Sequence, residues 1–441
     1  MKTTLLIYLG IYILAVIGMS WFISRKKDDE GFLIANRNRS WWMISLSKFA
    51  GAIGVGYFIT YTGYAYEYGM SVVLVIIGSV IGYLFFALWA IPRIYRFSRQ
   101  QQFYTQGDFV SHTLKNKYAG KLTNHLGNVI LFGWLLIGVI GGAKIINHFG
   151  LLSYELALIL TVVVVVVYIV FAGFKAVLAT DVLQSIIILS FVSILAWIIM
   201  QGVGFSEIIS VTTSGIDSIT AVSFFIFGTL TVFSHANWYQ LVYSAKDTHS
   251  ARKGISMAVI PILVVALLLL LIGMYMFVQD PHLDSGLVFL EALNNYVPSY
   301  LLPIGIILFF AGLMSSADTN TYAVASHYVL SGDSQNPIAD IRKTTVVIGI
   351  LSIIIAYFFR DIIDVTIFVA AISILLSLPM IYLVAGGKNK YQFFGSIIGG
   401  IVGVFVGFLI FGIEPAMGIP VFVLSLFGLL YKGWGMRRYN L

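Results

Sequence analysis

Apolar runs of 17 to 31 residues recur along this chain, cut by short polar stretches. They read as about thirteen helices near 4–24, 42–66, 71–97, 124–148, 153–173, 177–201, 220–243, 254–278, 300–330, 343–359, 362–385, 393–412 and 417–434. A helix needs roughly 20 apolar residues to cross a bilayer, and these runs supply them. The runs show no alternation of period two, which argues against a membrane β-barrel. The stretch near 98–123 is the longest between helices and reads as a short amphipathic or interfacial piece. The pattern therefore predicts an all-α integral membrane protein.

Composition supports that class. The chain is 59% hydrophobic and 10% charged, with mean hydropathy +0.94, whereas soluble domains carry about 25% charged residues. The net charge of +7 is a topology signal. All of the 26 Lys and Arg except Lys2, Lys48, Lys144 and Arg360 fall in alternate polar segments: Arg25–Arg39, Arg93–Lys121, Lys175, Lys246–Lys253, Arg342–Lys343, Lys388–Lys390 and Lys432–Arg438. The loops near Glu67, Glu207–Asp217, Asp280–Glu291 and Glu414 carry acids and almost no bases. By the positive-inside rule the basic loops are cytoplasmic. The N-terminus is then outside and the C-terminus inside, in the inner or plasma membrane. Bases dispersed over seven loops do not form a nucleic-acid face. The first apolar run carries its charges after it, at Arg25, Lys26 and Lys27, the reverse of a cleavable signal. The absence of cysteine removes disulfides and thiol chemistry. We expect no obligate protein partner beyond the lipid bilayer.

Two polar runs sit at membrane depth, where they are costly without partners. One is Ser315-Ser316-Ala317-Asp318-Thr319. The other is Thr180-Asp181, with Gln184 one turn on. Hard oxygen groups suit a small hard cation, which points to ion-coupled transport. The hydroxyls could instead back-bond to helix carbonyls, and either acid could be a structural one. His235 and His327 read as satisfied core histidines, and the seven histidines show no metal-ligand spacing. Three glycines in six residues, Gly51, Gly54 and Gly56, weaken the second helix and free backbone carbonyls. A similar weak point runs from Gly228 through Thr229, Thr231 and Ser234 to His235. Two interrupted helices five spans apart are the pattern of an inverted-repeat transporter. Close packing through small residues is the competing explanation. Lys48 lies inside the second apolar run. It either snorkels or pairs with Asp181 or Asp318, and its ammonium could even take a cation's place.

Four stretches carry a resemblance to a known family: Gly31-Phe32-Leu33-Ile34-Ala35-Asn36-Arg37; Ala179-Thr180-Asp181-Val182-Leu183-Gln184; Gln240 with Ala245-Lys246-Asp247 and Ala251-Arg252-Lys253-Gly254; and Ala311-Gly312-Leu313-Met314-Ser315-Ser316-Ala317-Asp318. Their order and spacing resemble the sodium:solute symporter family, whose members transport proline, sugars, sialic acid, pantothenate and other small solutes. The resemblance implies an inverted five-plus-five (LeuT-like) bundle with one extra N-terminal and two extra C-terminal helices. Within a single transport domain over 1–441, residues 1–40 would be the first helix and loop, 41–205 and 206–390 the two repeats, and 391–441 the last helices.

Carried over, the main sodium site would use the carbonyls of Ala50, Ile53 and Gly312 and the hydroxyls of Ser315 and Ser316. A second sodium site would use Asp181, Ser316, Asp318 and Thr319. The solute would sit by the two breaks, facing Gly54, Tyr57, Gly228, Thr231 and Phe233. Lys48 departs from the family's pattern two residues before Ala50. The resemblance thus implies a sodium-driven symporter for a small solute and no enzyme, with sodium as the coupling ion. A proton-coupled or sodium-independent transporter of the same fold is the alternative. Amide-bearing positions of sugar-transporting relatives correspond to Gly228 and Tyr57 here, which weighs against a sugar. Half-helix N-termini favour anions and could hold a carboxylate.

Overall fold

A computed structural model describes residues 2–24, 28–201, 216–332 and 334–431. The described chain is helical almost throughout. Its α-helices are α1 (Lys2–Ser24), α2 (Asp29–Ile34), α3 (Trp41–Ala52), α4 (Val55–Tyr68), α5 (Val73–Phe85), α6 (Ile91–Gln101), α7 (Gln106–Leu114), α8 (Lys117–His148) and α9 (Tyr154–Met200). They continue as α10 (Ser218–Leu230), α11 (Ala236–Ser244), α12 (Thr248–Gln279), α13 (Val288–Tyr296), α14 (Leu302–Leu330), α15 (Pro337–Phe358), α16 (Ile362–Val384), α17 (Lys390–Phe411) and α18 (Gly418–Leu429). The basic segment Arg25–Lys27, most of the acidic loop Glu207–Asp217 and the basic end Lys432–Arg438 lie outside the described residues.

Among the described residues, nine helices are long and apolar enough to cross a membrane, or ten if the bent pair Ser218–Phe233 and Ala236–Ser244 is one span. This differs from the thirteen expected, for physical reasons. The expected span 42–66 is cut at Ile53-Gly54 into helices of 12 and 14 residues. The rest of it runs on through 3-10 and π turns into the next span, so that Gly56–Gln101 forms one helical path. At the two ends, the apolar stretches counted are Ile7–Met19, inside the 23-residue α1, and Pro415–Leu429, both short among the described residues.

The expected boundary at 173–177 is real and sharp. α9 breaks at Gly173, whose φ of 59° and ψ of −168° lie where a side chain is strained. A Cβ there would meet the Phe32 ring at 2.3 Å. The stretch expected to be interfacial is α7, which starts with a capping box: Thr105 accepts from Asp108 N, and the Asp108 carboxylate accepts from Thr105 N at 2.8 Å.

α14 lies at the centre, against α8, α9, α3 and α1. Of its apolar window, 87% is buried, against 33% for α17. A helix hydrophobic all round belongs in a core, and α14 carries the serine pair there. α17 and α18 pack on each other at one edge and reach the rest through α16 and, from α18, through α10. Helix starts are satisfied by side chains: Asp247 accepts from Ser250 N at 2.6 Å, Asp361 from Ile363 N at 2.8 Å and Asn389 from Tyr391 N at 2.9 Å.

Candidate ion site and central cavity

The site is built where two helices lose their regularity beside α14. The last ladder bond of α3 runs from Ile53 N to Phe49 O (3.0 Å), and the first of α4 from Tyr57 N to Gly54 O (2.9 Å). The ladder passes over the Ala50 and Ile53 carbonyls, both in buried residues. A broken backbone at membrane depth is tolerable only where protein or a cavity receives its polar groups. Gly54 lets the break approach α14 closely. A Cβ on it would stand 2.1 Å from Ser316 Oγ and 3.9 Å from the Gly312 carbonyl. The break thus presses on the two α14 residues expected for the main cation site.

Both serines of the pair already donate their hydroxyl protons. Ser315 Oγ donates to Asp181 Oδ1 at 2.9 Å, and Ser316 Oγ donates to the Leu313 carbonyl at 3.2 Å. A hydroxyl has one donor and two lone pairs. Each serine oxygen is therefore left as an acceptor, the state a cation requires. Carbonyls plus hydroxyls form a hard oxygen set that fits sodium's chemistry.

Asp181 in α9 is fully buried and joins three helices. Its Oδ2 accepts from Ser47 Oγ of α3 at 2.5 Å, and its Oδ1 from Ser315 of α14. One turn on, Ser185 Oγ bonds both the Asp181 and the Leu46 carbonyls at 2.7 Å. Gln184 Nε2 donates to Tyr12 OH of α1 at 3.1 Å. Of the second expected group, Asp181 meets Ser315 and not Ser316. Asp318 and Thr319 are linked to each other, Thr319 N donating to Asp318 Oδ1 at 2.5 Å. Ser47 is a partner the sequence reading passed over.

Lys48 is corrected from both pairings considered for it. Its Nζ donates to Tyr83 OH at 3.2 Å and lies 3.4 Å from the centroid of the Trp238 ring. Among the described residues no carboxylate is in ion-pairing range of it. The other face of Trp238 stacks on His235 at 4.3 Å, and His235 Nδ1 lies 2.7 Å from the Thr231 carbonyl. His327 differs from the satisfied core histidine expected: both its ring nitrogens are buried without a hydrogen-bond partner among the described residues.

A cavity of about 110 Å³ adjoins the α3–α4 break. Its walls are largely aromatic, from Tyr57, Tyr61, Tyr83, Trp134 and Trp238, with His235. Gly54, Tyr57, Thr231 and Ser316 line it. Gly228 and Phe233 do not. Gly228 packs α10 against α5, where a Cβ would meet the Val75 carbonyl at 2.4 Å. Phe233 is fully buried, edge-on to Phe86 at 5.5 Å. The missed wall residues Tyr61 and Tyr64 had a signal: with Tyr57 and Tyr68 they recur at i, i+4, i+7 and i+11, one face of a helix. Tyr57 and Tyr61 stack at 4.0 Å.

The fold matches that of a Na+-coupled sialic acid symporter in a substrate-bound outward-open state, with TM-score 0.80 at 14% identity over 97% of each chain. It also matches Mhp1, a nucleobase-cation-symport-1 family transporter, with TM-score 0.62 at 14% identity over 91% of this chain and 93% of the other. In sequence, the chain is 27% identical over 194 residues to the sodium/pantothenate symporter of Haemophilus influenzae, covering 43% of this chain and 40% of that one. It is 25% identical over 286 residues to the osmoregulated proline transporter OpuE of Bacillus subtilis, covering 60% and 57%. The chain thus matches well under two thirds of either relative's length. The sodium:solute symporter family model matches residues 32–331, a span that holds the α3–α4 break, Asp181 and the serine pair of α14, and the chain belongs to that family.

Proposed function

We propose that the protein is a secondary active transporter that couples inward sodium flow to uptake of a small organic solute by alternating access. The observation that carries this is the α3–α4 break pressed onto Gly312 and Ser316, with the Ser315 hydroxyl turned by Asp181. Sodium bound by the Ala50, Ile53 and Gly312 carbonyls and the Ser315 and Ser316 hydroxyls would pin the broken helix to α14. That pin favours one of the two alternating states, and the solute adds its own contacts in the adjoining cavity. Coupling follows if each ligand raises affinity for the other, and that coupling is reciprocal. A second sodium held by Asp181, Ser316, Asp318 and Thr319 belongs to the same proposal; Ser47 and Ser315 are the neighbours of Asp181 that favour it.

The architecture follows the same reading. The bent pair α10–α11 repeats the broken pair α3–α4, in keeping with inverted repeats over 41–205 and 206–390 within a single domain. Counting that pair, both terminal helices and two crossings in Gly56–Gln101 as spans gives thirteen, an odd number, as an outside N-terminus and a cytoplasmic C-terminus require. The membrane would be the cell's inner or plasma membrane. The relatives' names give the first solutes to try, proline, pantothenate and sialic acid. Sodium replacement by the Lys48 ammonium is disfavoured, because Trp238 and Tyr83 hold that group.

The test is uptake of those three solutes, and of small-solute pools, into proteoliposomes. We expect accumulation under an inward sodium gradient and none under an equal potassium gradient. Accumulation driven by a pH gradient in sodium-free buffer would replace sodium by protons.

A further inference from the structure

Lys48 is a group that neither the sodium site nor the fold uses. It is 2% exposed, and an ammonium desolvated without an anion is held at several kcal/mol of cost. Contact with Trp238 and Tyr83 offsets only part of that, about 0.5–2 kcal/mol for a cation on aromatic faces. Tyr83 accepts one of its protons. An ammonium has three, so donors remain.

Its position is the informative part. Both side chains that hold Nζ, Tyr83 and Trp238, also line the central cavity. A smaller void of about 20 Å³ touches Lys48 itself and shares Gly51, Asn237 and Trp238 with the cavity. The ammonium therefore stands at the floor of the cavity, one side-chain layer from the space a solute would fill. Among the described residues, no Asp, Glu, Lys or Arg lines that cavity. A cationic solute would meet an uncompensated like charge, and a neutral one would leave the charge unanswered. An anion supplies what is missing. The wall is otherwise uncharged, with aromatic rings at Tyr57, Tyr61, Tyr64, Trp134 and Phe227 beside small and hydroxyl-bearing residues, and the rings suit an apolar or planar body. The small volume excludes a large one, since sites for drug-sized ligands run roughly 300–1,000 Å³. Asn237, on the shared wall, has its Oδ1 buried with no hydrogen-bond partner among the described residues, so a donor on the cargo would also be matched.

We propose that the cavity takes a small monocarboxylate with an apolar or aromatic body, and that Lys48 selects its carboxylate. The proposal rests on the transport reading above and names its substrate class. Trp238 covers Lys48 until the cargo arrives, and the carboxylate then takes the ammonium from the indole face.

The experiment is thermal unfolding of the purified full chain in sodium chloride, and again in choline chloride. The probes are benzoate, phenylacetate, 3-phenylpropionate and hexanoate, each beside its uncharged amide. The expected result is that at least one acid raises the melting temperature while its amide does not. Lys48→Met should then raise the concentration of that acid for half-maximal stabilisation about ten-fold or more, and Lys48→Arg should restore much of it. Acids and amides acting alike, no acid acting at all, or an acid effect that survives in Lys48→Met would each overturn the proposal. If Lys48→Met does not fold, the acid–amide contrast in the unmodified chain decides. Sodium-specific stabilisation with no acid preference would sink only this inference. An acid preference without any sodium effect would sink the sodium reading and leave Lys48 its role.

Discussion

Ser316 is where the account is most exposed at the scale of single residues. Its hydroxyl donates to Leu313 and keeps its lone pairs beside the α3–α4 break. Ser316→Ala removes one ligand and, with a small buried side chain, little packing. We expect the sodium concentration for half-maximal uptake to rise about ten-fold, the effect of losing ~1.4 kcal/mol of binding. Sodium titration of uptake in the variant measures this, and an unchanged titration would remove Ser316 from the site. The serines and Asp181 were legible in the sequence because polar groups inside apolar runs require an explanation. Ser47 was not. A serine near a helix end is ordinarily explained by bonding its own backbone, and its actual acceptor lies 134 positions away. Lys48 was visible as an oddity, but the choice of Trp238 over an acid needed the fold.

At the scale of elements, glycine was a partial guide. The cluster Gly51, Gly54 and Gly56 announced the break in the second helix, and Gly173 divided two spans where expected. In the second weak point, Gly228 serves helix packing, and the α10–α11 bend lies at the far end of the stretch, at Ser234 and His235. Sequence alone does not separate a glycine that frees carbonyls from one that admits a neighbouring helix. Substitution does. Gly54→Ala drives a methyl into Ser316 Oγ and should abolish sodium-specific stabilisation. Gly228→Ala drives one into the α5 backbone and should cost about 1–3 kcal/mol of stability equally in every salt. Melting curves of both variants in sodium and in choline check the contrast. Loss of the sodium effect in Gly228→Ala with retention in Gly54→Ala would reverse the two assignments.

Over the whole molecule, the four family stretches divide into two jobs. Those of α9 and α14 build the site. Those around 31–37 and 245–254 lock one end of the bundle. Arg39 and Ala245 form a bridge, with Arg39 N to Ser244 O and Lys246 N to Arg39 O both at 3.0 Å. Arg37 donates to the Phe103 carbonyl and to Glu30, both at 2.9 Å. Tyr322 OH reaches from α14 to the Phe32 carbonyl at 2.7 Å. The all-helical membrane class was legible because hydropathy acts locally along the chain. Apart from Arg37–Glu30, these contacts, like the cavity, join residues from 66 to 290 positions apart, and local patterning carries no trace of them.

The central claim is that a cation joins the broken helix to α14, and a ligand that binds only the folded state at 100 times its dissociation constant stabilises it by about 2.7 kcal/mol. The most direct measurement is the melting temperature of the purified protein in sodium, potassium and choline chloride at equal ionic strength. The account predicts a rise specific to sodium, diminished in Ser316→Ala. Equal melting temperatures in all three salts would contradict it.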